Sequence, residues 1–128
     1  MDRAGFVGTW VLVSWSATDA VGQQVLPYGD APHGYIIYTA DGYMSAQIQG
    51  NGGEGVTGEG LFLAYSGEFL LDGETAIHRV KFSNWLPIVG SDQRRDATFS
   101  GDQLVLSATA KGTTHTISWK RAKVVENS

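Results

Sequence analysis

Tyr35-Ile36-Ile37-Tyr38-Thr39-Ala40-Asp41-Gly42-Tyr43-Met44-Ser45-Ala46-Gln47-Ile48 reads as two strands folded back on a tight turn. Aromatic and β-branched residues fill 35–38, alternation resumes over 43–48, and Asp41-Gly42 supplies the positive-φ geometry that hairpin turns need. The same grammar continues outward. Gly8 to Trp15, Leu61 to Leu71, and the runs 75–83, 92–100, 103–109 and 113–121 are short, apolar and alternating. Between them lie Asp72-Gly73, Pro87 and Gly90, Gly101-Asp102 and Lys111-Gly112, with Ser66-Gly67 expected as a bulge or bend inside the long run. About eight strands and no convincing helix result. Short antiparallel strands joined in sequence form an up-and-down meander that removes its edges by closing into a barrel, with a two-sheet sandwich as the alternative.

With 128 residues, 42% of them hydrophobic, the chain is the size of one globular domain spanning 1–128, too apolar for disorder and too interrupted for a membrane span. Nine Lys and Arg against thirteen Asp and Glu, with no basic run, argue against a nucleic-acid partner. The absence of cysteine excludes disulfides, thiolate metal sites and Cys nucleophiles together. The opening Met1-Asp2-Arg3-Ala4-Gly5 carries no leader-like pattern, so the expected compartment is the cytoplasm.

Strand parity separates inward from outward side chains. Ala76, His78, Val80 and Phe82 share one face, with Arg79 and Lys81 on the other. Gln93, Arg95, Ala97 and Phe99 are expected inward, as are Leu104, Leu106 and Ala108, and then His115, Ile117 and Trp119. On the first hairpin Met44, Ala46 and Ile48 share the inner face; Tyr38 rather than Tyr35 is expected to join them, depending on the length of the turn. Tyr65 lies in a run apolar on both faces, and parity does not decide its side.

An internal polar cluster of His78, Gln93, Arg95 and His115 within an apolar barrel follows. A buried Arg or His without partners costs several kcal/mol, so the cluster is either a self-satisfied structural network or faces a ligand. In the second case Arg95 and Gln93 donate to a carbonyl, enol or carboxylate, and His78 or His115 moves a proton. His33, His78 and His115 as metal ligands are a weaker reading, since no HxH or HxxxH spacing occurs, and no metal is assigned. Gly53 to Gly58 matches G-x-G-x-x-G but has no βαβ context; it reads as a loop, and the Gly-rich stretch 50–60 as a flap over one barrel end or an inert surface loop. Trp15, by simple parity opposite Trp10 and flanked by Val11 and Val13, gives an exposed apolar strip and hence the expectation of a homodimer.

Phe6-Val7-Gly8-Thr9-Trp10 resembles the G-x-W opening of the calycin and lipocalin group, and Trp119-Lys120-Arg121 resembles its closing strand. Leu26-Pro27-Tyr28-Gly29-Asp30-Ala31, the hairpin from Gly34 to Ser45, Ala64-Tyr65-Ser66-Gly67, His78 and the Gln93 to Arg95 region are similar to the small lipocalin-like domain family, over nearly the whole chain. The resemblance departs at 50–60. It implies a closed or nearly closed antiparallel barrel with Trp10 and Arg121 plugging one end. Some members of the family that the chain resembles accompany secondary-metabolite pathways, where small barrels of several kinds fold polyketide-like chains, an analogy at the level of the fold.

Two functions follow from these residues. One is a cofactor-free enzyme promoting cyclisation, isomerisation or dehydration of a polyketide-like or other hydrophobic metabolite. Its catalytic residues would be His78, Arg95 and His115, with Tyr38, Met44, Tyr65, Gln93, Phe82, Phe99 and Leu106 lining the substrate site. The other is a non-catalytic binder or carrier in which the same groups hold a ligand's polar end.

Overall fold

The computed structural model describes residues 2–51 and 61–127. The G-x-G-x-x-G match and most of the expected flap lie outside the described residues. A 3₁₀ turn, Arg3–Gly5, leads into β1 (Gly8–Thr18), the two-residue β2 (Gln24–Val25), β3 (His33–Tyr38) and β4 (Tyr43–Gln49). Then come β5 (Phe62–Asp72), β6 (Thr75–Ser83), a 3₁₀ turn at Leu86–Ile88, β7 (Asp92–Ser100), β8 (Gln103–Ala110) and β9 (Thr113–Arg121). β3 through β9 pair antiparallel in sequence order, and β1 pairs with both β3 and β9, so eight strands close into a barrel. β2 only extends one end of β1, through Ala17↔Val25 and Thr18↔Gln24.

The β3–β4 turn is wider than two residues. The Thr39 N–H donates to the Tyr43 carbonyl, which leaves a three-residue loop with Gly42 at φ +97°, in the region that favours glycine. That length fixes the register Tyr38↔Met44 and sends Tyr38 inward while Tyr35 faces out.

Two bulges redirect side chains that simple alternation sends elsewhere. On β1 the pairing with β9 jumps from Leu12↔Trp119 to Ser14↔Ser118, so Val13 is an extra residue. Trp10 and Leu12 are buried before the bulge, and Ala17 after it with Trp15 turned into the barrel. The expectation that Trp15 lies outside is therefore corrected, and the apolar strip that motivated a homodimer loses its largest member. On β6, Ser66↔Phe82 is followed by Gly67↔Val80, which leaves Lys81 as the extra residue. Val80 is fully buried but Phe82 is 73% exposed, so the expectation that Phe82 lines the interior is also corrected. Gly67 sits where this bulge presses the strands together: a Cβ there would collide with the Arg79 carbonyl oxygen.

The barrel is filled at one end and hollow towards the other. At the closed end Phe6 packs against Tyr38, Phe69 and Phe99 with ring centroids 5.4, 4.9 and 5.0 Å apart, and the Trp10 indole N–H donates to the Phe6 carbonyl at 2.9 Å. Arg121 caps this plug. Its guanidinium carbon lies 4.0 Å from the centre of the Trp10 ring, and its Nη atoms donate to the carbonyls of Val7 and Gly5 at 2.6 and 2.7 Å. The outer face carries Arg79 between Glu68 and Asp92, and Arg94 against Asp72. Such exposed pairs add little stability.

Candidate functional site

The hollow half encloses a cavity of about 250 Å³. Its walls come from every side of the barrel: Ile36 and Ile48 from the first hairpin, Leu63 and Tyr65 from β5, His78 from β6, Gln93 and Arg95 from β7, Leu106 and Ala108 from β8, and His115, Ile117 and Trp119 from β9. Trp15 joins from β1, and Trp85 and Ile88 reach over from the loop between β6 and β7. The cluster expected from strand parity is thus brought together. His78 pairs with Gln93 across the β6–β7 ladder, and Arg95 sits two pairs further along on the same face, opposite Ala76.

Not every expected lining residue reaches the cavity. Met44 is buried in the core, and Phe99 packs against Trp10 and Phe6 in the plug. Tyr38 is buried with it, yet its hydroxyl extends to the polar cluster. Phe82 is outside, as described above. Parity assigns a side chain to the inside but not to a depth, and these residues occupy the filled half. His33 is exposed at the start of β3, and among the described residues no three His, Asp or Glu side chains converge as a metal site.

His78 is the centre of the polar group and is only 1% exposed. Its Nε2 lies 2.7 Å from the Tyr38 hydroxyl and its Nδ1 lies 2.9 Å from the Tyr65 hydroxyl, forming a bar across the barrel from β3 through β6 to β5. Burial, assisted by the nearby Arg95 cation, pulls the imidazole down to about 3, so His78 is neutral at physiological pH and carries one ring proton. Burial raises both phenols above their ordinary value, in Tyr65 against the opposing pull of Arg95, so both keep their protons.

The proton positions follow from counting donors. Among the described residues Tyr38 makes no other side-chain hydrogen bond, and if His78 donated to it, the Tyr38 O–H would be buried without an acceptor, at a cost of about 1–3 kcal/mol. Tyr38 therefore donates to Nε2, Nδ1–H donates to Tyr65, and the Tyr65 proton is left to point elsewhere. Tyr65 lines the cavity, where water or a ligand can receive it.

Around this bar, the Gln93 carbonyl oxygen accepts from Arg95 Nη2 at 3.1 Å and its amide donates to Ser91 Oγ at 2.7 Å. Arg95 Nη1 donates to the Arg94 carbonyl at 2.9 Å. No carboxylate among the described residues lies within ion-pair distance of Arg95. Nearer the mouth, the Trp15 indole N–H donates to His115 Nδ1 at 3.1 Å, while its ring stacks on Tyr28 at 4.3 Å. The buried Trp119 indole N–H has no hydrogen-bond partner among the described residues.

Sequence reasoning missed Trp15, hidden by the bulge at Val13, and the roof residues Trp85 and Ile88. An apolar segment, Trp85-Leu86-Pro87-Ile88-Val89, in a connection between strands is unusual for a loop and was the available signal for the roof.

A closed antiparallel meander plugged at one end and hollow at the other defines a small β-barrel with an internal cavity. The chain belongs to the lipocalin-like domain family, whose family model matches residues 7–125. No curated protein matches it. Among solved structures it is similar to an uncharacterized protein from Bacteroides eggerthii DSM 20697, at 12% identity and TM-score 0.51, covering 90% of this chain and 98% of that one. It is also similar to the wild-type fluorescent protein UnaG, at 16% identity and TM-score 0.49, covering 94% of this chain and all of that one.

Proposed function

We propose that the protein binds a small hydrophobic molecule inside the barrel, with the molecule's polar end at Arg95 and Tyr65. The observation that supports this reading is the cavity itself: about 250 Å³ of space walled by Ile, Leu, Ala and Trp side chains, with a cation at its polar side that no carboxylate among the described residues neutralises. An apolar cavity of about 150 Å³ takes up benzene, so this one suits a body of one or two rings. Family membership fits such a role without specifying the ligand.

A second reading, conversion of the bound molecule, is favoured by one feature. Tyr65 and Arg95 are hydrogen-bond donors that line the same cavity, and donors converging on one site can stabilise negative charge developing on a carbonyl oxygen. Cyclisation, isomerisation or dehydration of a polyketide-like molecule without a cofactor would use them in this way. His78 then positions Tyr65 rather than carrying a proton itself, because both its ring nitrogens are engaged and its basicity is low. His115, at the mouth, would serve as base only on release of the Trp15 indole from its Nδ1, and the cytoplasm is the compartment in which such a metabolite would be met.

Native mass spectrometry on protein purified from its own host, beside Ala108→Trp, tests binding. Ala108 lines the cavity, so the indole fills it. The expected result is a co-purifying small molecule in the wild type that is missing from the folded variant; a wild type empty at every extraction would refute the reading. Chemical change of the extracted molecule on incubation with fresh protein, abolished by Tyr65→Phe, distinguishes the enzyme from the carrier.

A further inference from the structure

The polar groups around the cavity have a common sign. Both His78 nitrogens are engaged, Nε2 by Tyr38 and Nδ1 by Tyr65. The Gln93 carbonyl oxygen is taken by Arg95, and His115 Nδ1 by the Trp15 indole. What remains directed outward from these bonds is a set of hydrogens. They are the Tyr65 O–H, the second hydrogen of the Gln93 amide, and the three Arg95 N–H groups beyond the two that meet Arg94 and Gln93. Each of these acceptors already has a protein partner, whereas several of the donors have none.

We propose that the ligand is a compact apolar monocarboxylate, its ring or short hydrocarbon body in the cavity and its carboxylate received by Arg95 and the Tyr65 hydroxyl. This rests on the reading of the barrel as a binder of small hydrophobic molecules and specifies its polar end. A carboxylate accepts only, so it matches a donor-only wall and leaves no hydrogen of its own unpaired. It also matches the charge of Arg95, and hydrogen bonds between ionised partners are about twice as strong as neutral ones. An alcohol brings a donor that would have to share an acceptor already partnered by the protein and carries no charge for Arg95, and a ketone brings an acceptor without the charge. The Tyr38–His78–Tyr65 bar adds directionality: Tyr38 gives to the imidazole, the imidazole gives to Tyr65, and this one-way chain polarises the terminal Tyr65 O–H towards the ligand.

Isothermal titration with naphthalene-2-carboxylate, naphthalene-2-methanol and 2-acetonaphthone at low salt separates these cases. The three share a two-ring body and differ only in the polar group. The carboxylate is expected to bind at least tenfold more tightly than either neutral analogue. Arg95→Gln is expected to erase that preference while the alcohol binds as before, and Tyr65→Phe to weaken the carboxylate about fivefold to tenfold. Equal binding of all three overturns the carboxylate assignment and leaves the hydrophobic-ligand reading intact. No binding of any of the three at millimolar concentration overturns both. A carboxylate preference that persists in both variants, with circular dichroism unchanged, places the carboxylate elsewhere and overturns the assignment to Arg95 and Tyr65. The comparison of ligands on the wild type decides the polarity question even if a variant fails to fold.

Discussion

Tyr38→Phe and Tyr65→Phe remove the same atom from the two ends of one hydrogen-bonded bar, yet the structure assigns them different costs. Tyr38 and His78 are each 1% exposed, so loss of the Tyr38 hydroxyl leaves one His78 ring nitrogen buried without a partner whichever tautomer forms. That orphan costs about 1–3 kcal/mol. Tyr65 borders the cavity, and after Tyr65→Phe a water in the cavity can accept from His78 Nδ1–H, which limits the cost to about 1 kcal/mol or less. For a chain of this length each kcal/mol moves the midpoint by about 4 °C, so Tyr38→Phe should lower Tm by about 8 °C and Tyr65→Phe by at most about half of that. Thermal and urea denaturation of both variants and the double variant measure this, and the single costs should not add because both act on His78. An equal or larger loss for Tyr65→Phe would show that the cavity supplies no replacement partner for His78 Nδ1.

Stability should fall in acid because of His78. Its imidazole is pulled down to about 3 in the fold against an ordinary value of 6.5, so between those values the unfolded chain binds the extra proton and the native state does not. The contribution is constant above about pH 6.5 and declines as pH falls towards 3. From pH 7.5 to 4.5 it amounts to about 3 kcal/mol, read as a urea-midpoint difference from His78→Gln, which should show a flatter acid limb; parallel limbs would contradict the assignment. Gly67→Ala should destabilise by about 3 kcal/mol or prevent folding, since the added methyl meets the backbone of Arg79, and a variant with unchanged Tm would mean the bulge at Lys81 yields easily. Arg121→Ala should cost about 1–2 kcal/mol through loss of the Trp10 stack and two carbonyl contacts, with Arg121→Lys recovering little; full recovery by Lys in thermal melts would reduce the plug to simple charge.

The alternation in β6 and β7 was enough to bring His78, Gln93 and Arg95 together, because a period of two leaves no choice once one face carries Arg79, Lys81 and Arg94. The Asp41-Gly42 turn was equally legible, while at Ser66-Gly67 the composition marked where the β5–β6 pairing shifts but not which strand carries the extra residue. Val13 and Lys81 were not: each is an ordinary strand residue, and only the partner strand reveals that it is supernumerary. One residue too many turned Trp15 in and Phe82 out. Depth was illegible for a different reason. Met44, Phe99 and Leu106 follow the same inward parity, and only the closing of the barrel by Phe6, Trp10 and Arg121 decides that Met44 and Phe99 fill the plug while Leu106 faces the cavity. The tyrosine–histidine bar joins β3, β5 and β6 across the interior, a contact that no local pattern encodes.

Long-range ¹H–¹⁵N NMR of the His78 ring, recorded from pH 5 to 8 with and without naphthalene-2-carboxylate, tests the central claim most directly. The account predicts a neutral ring protonated at Nδ1 throughout, with both nitrogen signals shifting as the carboxylate engages Tyr65. A ring protonated at Nε2, an imidazolium appearing near pH 6, or signals indifferent to the ligand would contradict it.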